Sequence, residues 1–223
     1  MGSDGPEKVN FSGFTIQSID NFDGGFAHVG IRIFSNHNFI HDNIIRNTSC
    51  GIVLQGLFNH IKENNIIDNE GGIHSCLISL SPIPKNNTIS SNKIVNNSRF
   101  GISIWNSEKD SKNNYTINNN TISFHIRGID LSSTSNNIII NNNIENNSIG
   151  IHGYEEYLNQ ILNNFYSDND KDVYLLPKLP DYDALMGMYM VLSFIMPFIY
   201  LVGGIILLLL IPIILIKKRK KIK

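Results

Sequence analysis

The chain has 223 residues, a formal net charge of −1, 42% hydrophobic residues and 17% charged ones. All 19 acidic residues lie at or before Asp183 with 12 of the 18 basic ones, so residues 1–183 carry 12 − 19 = −7, while the last seven residues, KKRKKIK, carry +6. A domain at −7 with no basic stripe argues against phosphate-backbone binding, and nucleic acid is not an expected partner.

From Glu7 to Val29 the chain contains VNFSGFTIQ and reads as an unregistered coil ahead of the first full repeat. A Gly-Ile unit then restarts at Gly30, Gly51, Gly72, Gly101, Gly128 and Gly150, at intervals of 21, 21, 29, 27 and 22 residues. A period of this size marks a solenoid, whose units cannot bury an apolar face alone and must stack. Within a unit the pattern has period two over three to five residues, as in Ile129-x-Leu131 and Ile138-x-Ile140. Short β-strands follow, with Ile, Leu and Val turned inward.

The chain has 32 asparagines, a composition hostile to helix interiors. Asn tolerates left-handed backbone and hydrogen-bonds neighbouring peptides, which suits corners between strands. Asn43, Asn65, Asn92, Asn120, Asn143 and Asn164 each precede an Ile or Phe by one or two residues, and are expected to form a ladder from coil to coil. The longer third and fourth units hold their surplus in LISLSPIPKN and NSEKDSKNN, polar or Pro-containing loops expected on one face of the solenoid.

The repeat domain is expected over residues 1–176, with a linker over 177–184 that carries Pro177 and Pro180. No charged residue occurs from Ala184 to Ile216. Such a run far exceeds the ~18 residues of a transmembrane helix, and leaves no room for two spans of about 20 each. One span is expected within residues 185–216, near Phe194 to Ile216, followed by a basic tail over 217–223. The positive-inside rule puts that tail in the cytoplasm and the repeats outside. The competing arrangement is a tail-anchored protein with cytosolic repeats, since Met1 to Asn10 has no apolar h-region.

GIRIF, GIVLQ, GISIW, GIDLS and GIHGY, each followed by Ile-x-x-Asn turns, resemble the right-handed parallel β-helix repeats shared by pectate-lyase-like proteins and the NosD-type periplasmic accessory family. The resemblance covers Lys8 to Leu176 and implies the handedness; it is weak for activity, because one solenoid serves unrelated functions. Members normally follow a signal sequence and cap their first coil, whereas here the coils begin almost at Met1. The expectation is a chain shortened at its N-terminus, or a second protein or subunit covering that end.

Polysaccharide-cleaving β-helices need grouped carboxylates. The position two after each unit's Gly (Arg32, Val53, His74, Ser103, Asp130, His152) should form an outward column, and it holds a single acid. Asp42, Glu63, Asp68 and Glu70 read as solvated turn residues, so no catalytic residue is assigned. NosD-type relatives serve a copper enzyme, but His74 and His152 lie three coils apart, roughly 14 Å at ~4.8 Å per coil, too far to share an ion. Neither metal nor cofactor is expected. Cys50 and Cys76 fall at different places in adjacent units, and a disulfide is not indicated.

Trp105, Tyr154 and Tyr157 follow the Gly-Ile strands where the polar loops emerge. With Asp130 and His152 they form the expected ligand site, since an aromatic face beside polar groups suits a sugar. Sequons occur at Asn10, Asn47, Asn86, Asn96, Asn114, Asn119 and Asn146. The expected protein is a membrane-anchored surface β-helix, a non-catalytic scaffold or a module binding a glycan or envelope protein. A carbohydrate-active enzyme and a copper-enzyme accessory protein are the alternatives.

Overall fold

Three short strands per turn, each hydrogen-bonded to its counterpart one repeat away, build the whole repeat region. The computed structural model describes residues 8–18, 28–76, 83–105, 111–132, 134–155 and 157–177. Residues 1–177 form one compact unit; the second unit, from residue 178 onward, lies outside the described residues, and with it the expected membrane span and basic tail. No described helix is long and apolar enough to cross a membrane.

The described strands form three parallel seven-stranded sheets and one two-stranded pair. The first sheet takes three-residue strands such as Phe39–His41, His60–Lys62 and Thr88–Ser90. The second takes Ile44–Arg46, Asn65–Ile67 and Lys93–Val95, and the third takes the Gly-Ile strands from Val29–Ile33 to Lys171–Leu176. Every pairing joins equivalent residues of adjacent repeats, as in Ile61↔Ile89 and Ile102↔Ile129. This is a parallel β-helix of seven coils, consistent with the right-handed winding that parallel β crossovers adopt.

The stretch before Gly30 is not unregistered, as the sequence suggested. Asn10–Ser12 and Thr15–Gln17 pair with Phe39–His41 and Ile44–Arg46, so they belong to the first coil. Phe11 and Ile16 supply the inward side chains there, and their repeat is hidden because no Gly-Ile follows at the usual spacing.

The middle residue of each short strand points inward. Ile40, Ile61, Ile89, Ile117 and Ile139 stack in one file, and Ile45, Ile66, Ile94, Ile122 and Ile144 in another. All but Ile40 are fully buried, and each such side chain contributes roughly 1.5–3 kcal/mol on leaving water.

The corners obey a simple rule. Among the described residues, seventeen non-glycine residues have φ between 50° and 64°, and each stands immediately before a residue of an internal ladder. One ladder runs Asn43, Asn64, Asn92, Asn120, Asn142, Asn164: each backbone N–H and side-chain amide donates to the next Oδ1 at 2.9–3.1 Å. The expected ladder is therefore corrected at two positions, since it passes through Asn64 and Asn142 rather than Asn65 and Asn143. The last two begin strands, and their Oδ1 atoms are buried without a hydrogen-bond partner. In Asn-Asn pairs the left-handed residue ahead, Glu63 or Asn141, decides which amide turns inward.

Two further ladders are each interrupted once. Tyr115 replaces Asn in the file of Asn38, Asn59, Asn87, Asn137 and Asn159, and His125 replaces it in the file of Thr48, Asn69, Asn97, Asn147 and Asn169. The Tyr115 hydroxyl sits 2.6 Å from Ser75 Oγ and accepts from Asn87 at 2.8 Å, so its burial leaves no polar atom stranded. The Cys50 thiol is buried 3.4 Å from Ile52 O, and the Cys76 side chain lies outside the described set.

Candidate functional site

The outward face of the third sheet collects the polar and aromatic side chains that the corners and core do not use. Its strands alternate, so the residue two after each Gly points away from the isoleucine files. Register aligns Arg32, Val53, His74, Ser103, Asp130, His152 and Tyr174 in one central column. A trailing column, two residues further on, holds Trp105, Ser132 and Tyr154. Trp105 pairs with Ser132, and Tyr154 stands beyond His152 as Ser132 stands beyond Asp130.

Asp130 is the hub of this face. One oxygen accepts from the His152 ring at 2.8 Å and the Ser132 hydroxyl at 3.0 Å, and the other accepts from Arg127 at 2.7 Å. Asp130 and His152 are 8% and 6% exposed, so three donors hold the carboxylate in place of water. The Nδ1–H of His152 is thereby the proton facing Asp130, and its Nε2 carries no hydrogen bond to the described residues.

Beside Asp130 lies an open cleft of about 310 Å³, lined among others by His74, Arg99, Ser103, Trp105, Ile126 and Arg127. Trp105 at its rim is 44% exposed and Ile126 is 56% exposed. His74 on the floor has its pKa lowered to about 4 by burial first and the Arg99 charge second, partly opposed by Asp130, so it is neutral at pH 7. Arg99 also reaches Glu70 at 3.1 Å.

The five expected ligand residues all lie on or beside this face, but not in one pocket. Trp105 and Asp130 line the cleft. His152 lies one coil further, between the rings of Tyr154 and Tyr174 at centroid distances of 6.2 and 6.1 Å. Tyr157 is buried edge-on against Tyr154 at 6.0 Å, so it supports a neighbouring ring and presents none of its own. Arg127, Arg99 and Ser132 were missed by the sequence reading. The first two precede the Gly-Ile signature, where no repeat consensus marks them, although Arg127 sits next to Gly128.

The acidic turn residues stay apart. Asp42, Glu63 and Asp68 take left-handed corners, and Asp42 pairs with His41, Glu63 with Lys62 and Asp68 with Asn96. Among the described residues no three His, Cys, Asp or Glu gather in a way that could hold a metal ion.

A solved structure that this chain is similar to is the A-module of the mannuronan C-5 epimerase AlgE4 from Azotobacter vinelandii, with a TM-score of 0.50 and 12% identity over 76% of this chain. The match spans 58% of that module's length, a little over half, and at this identity it speaks for the fold alone. No curated protein matched the sequence. A protein-family model described as "Periplasmic copper-binding protein (NosD)" matches residues 5–112 and 85–179.

The described residues do not fit a resident copper ion. His41 uses both ring nitrogens, on Asp42 and Asn10 at 2.6 Å each, and His125 uses both on Asn147 and Asn97. His152 binds Asp130, and the coil of Ser103 separates His74 from Asp130. The copper in the family's description therefore finds no donor set among the described residues, yet the two matches run through all seven coils and cover more than half of the sequence: the chain belongs to the NosD family.

Proposed function

We propose that this chain is a membrane-anchored β-helix of the cell envelope that binds an extended glycan on the outward face of its third sheet without turning it over. The observation that carries this reading is the cleft in which the exposed Trp105 ring borders a polar floor of Ser103, Asp130 and Arg127. A flat apolar ring beside fixed hydrogen-bonding groups is what a pyranose needs. Asp130 is the carboxylate of the described cleft lining, whereas glycoside hydrolysis calls for two. The periplasmic description of the family supports an external repeat domain, and the charge-free run from Ala184 to Ile216 before KKRKKIK supports a single anchor with a cytoplasmic tail.

The test is a glycan array probed with the full chain in mild detergent, followed by product analysis on each hit. Binding with no new reducing ends and no unsaturated products is the expected result. A second reading, a carbohydrate-active enzyme, is favoured by the Asp130–His152 pair, whose geometry leaves a ring nitrogen free to accept a proton. Turnover that His152→Ala abolishes would put that reading first. The third reading, an accessory protein for a copper enzyme, rests on the family description and requires stoichiometric copper binding by the purified chain.

A further inference from the structure

Two outward aromatic rings of the trailing column, Trp105 and Tyr154, stand in coils separated by one intervening coil. Trp105 occupies one, Ser132 the next and Tyr154 the one after. Two coil rises at about 4.8 Å each place the ring-bearing positions roughly 10 Å apart along the solenoid axis. Between them the short Ser132 leaves a gap, and its hydroxyl is held by Asp130 at 3.0 Å. Tyr154 is braced edge-on by Tyr157 and His152, at 6.0 and 6.2 Å, so its ring is held in orientation before any ligand arrives.

In a flat β-1,4-linked chain of pyranoses, successive rings are flipped about the chain axis. Every second ring therefore returns the same face to a supporting surface, and the length of that repeat is close to two coil rises. Chains that coil, such as α-1,4-linked glucans, do not keep this spacing. We infer that the trailing column is a two-platform subsite for an extended β-1,4-linked glycan laid along the solenoid axis, with sugars n and n+2 stacked on Trp105 and Tyr154 and the flipped sugar n+1 over Ser132. The polar neighbours agree with this pose. Ser103, Asp130 and His152 of the central column lie in the same three coils, beside the positions of the three sugars. This inference rests on the proposed glycan-binding role and narrows it to one linkage class and one direction.

The experiment measures affinity of the full chain, in mild detergent, for β-1,4-linked cello-, manno- and chito-oligosaccharides of one to six units, with maltohexaose and laminarihexaose as the α-1,4 and β-1,3 comparisons. The expected result is a step in affinity between two and three units for a β-1,4 series and no such step for the others. Trp105→Ala and Tyr154→Ala should each lower trisaccharide affinity by roughly tenfold, the size of one aromatic contact, and remove the step. Tyr154→Phe should keep it, and an unchanged circular dichroism spectrum shows that each variant folds. Binding with no step at three units, or loss on Trp105→Ala alone, overturns the two-platform subsite and leaves glycan binding standing. Failure of every one of these oligosaccharides to bind overturns the subsite, and an empty glycan array besides overturns the glycan-binding role as well.

Discussion

An asparagine in this protein is worth its place according to which side of the corner it occupies. Asn92 accepts from the backbone and side chain of Asn64 at 2.9 and 3.0 Å and donates to Ile61 O and Asn120 Oδ1. Truncation to Ala would strand several fully buried polar groups, so Asn92→Ala should cost about 3 kcal/mol or more. Asn65→Ala, one residue off the ladder and removing an oxygen that has no partner, should cost under about 1 kcal/mol. Chemical denaturation of the two variants checks both figures. His125 offers a second test. Asn147 Oδ1 accepts from its backbone N–H and from Nδ1, while Nε2 faces the Asn97 amide at 3.1 Å, so a ring proton on Nε2 would meet another donor. Burial lowers the pKa of His125 to about 4, against 6.5 when unfolded, so the unfolded chain takes up the proton first. Stability should therefore fall as pH drops from 6.5 to about 4 and level off below, with His125 contributing about 3 kcal/mol to that loss. His74 adds to it in the same window. Thermal melts of His125→Asn, which restores the ladder residue, should show a shallower acid decline than the parent.

At the level of the strand, the glycine that opens each unit is there because neighbouring coils approach too closely for any side chain. A Cβ on Gly101 would lie 2.7 Å from Gly128 O and 2.7 Å from a methyl of Ile122, and the first of these atoms belongs to backbone that cannot rotate away. Gly101→Ala should destabilise the fold by about 3 kcal/mol, measured by urea titration, with the strands around Phe100–Trp105 exchanging amide hydrogens fastest. The sequons find their explanation at the same scale. Asn47, Asn86, Asn96, Asn114, Asn119 and Asn146 all occupy exposed left-handed corners. Each is followed by a ladder residue and then by a Ser or Thr, so the corner geometry writes the Asn-x-Ser/Thr pattern by itself. Phe58 and Phe124 take the same corner conformation, at φ of 55° and 64°, where a bulky side chain is unusual. The Phe58 ring stacks on His37, the equivalent corner residue of the neighbouring coil, at a centroid distance of 5.0 Å, whereas nothing in the structure explains Phe124.

Across the whole repeat region, each coil contacts its neighbours through the same columns, so a complete coil is the unit of change. Removing Gly51 to Gly71 would join Cys50 to Gly72 and bring Asn38, Asn43 and Thr48 opposite Asn87, Asn92 and Asn97, the partners their own neighbours have now. The shortened protein should fold, with the stack reduced by about 4.8 Å and a lower melting temperature. A deletion of half that length puts ladder residues against isoleucines and should leave the chain unfolded. Small-angle scattering with circular dichroism separates the two outcomes.

The stack of repeated coils was legible in the sequence because the repeat is imposed by local needs: Gly where backbones touch, Ile where strands face inward, Asn where the chain turns. Those needs recur at every coil, so composition and spacing carried the fold. They also carried the column of Asp130 and His152, since register follows from period. The choice between Asn64 and Asn65 lay in the backbone conformation of the residue before them, which two adjacent asparagines conceal. The first two strands were hidden because Gly30, the glycine of their coil, follows Ile16 by 14 residues where Gly51 follows Ile45 by 6, and Arg127 because its role depends on how its side chain turns toward Asp130. Tertiary structure alone decided these matters, for the physical reason that each turns on which way a side chain faces once the coils have stacked, and that orientation leaves no mark in composition or spacing.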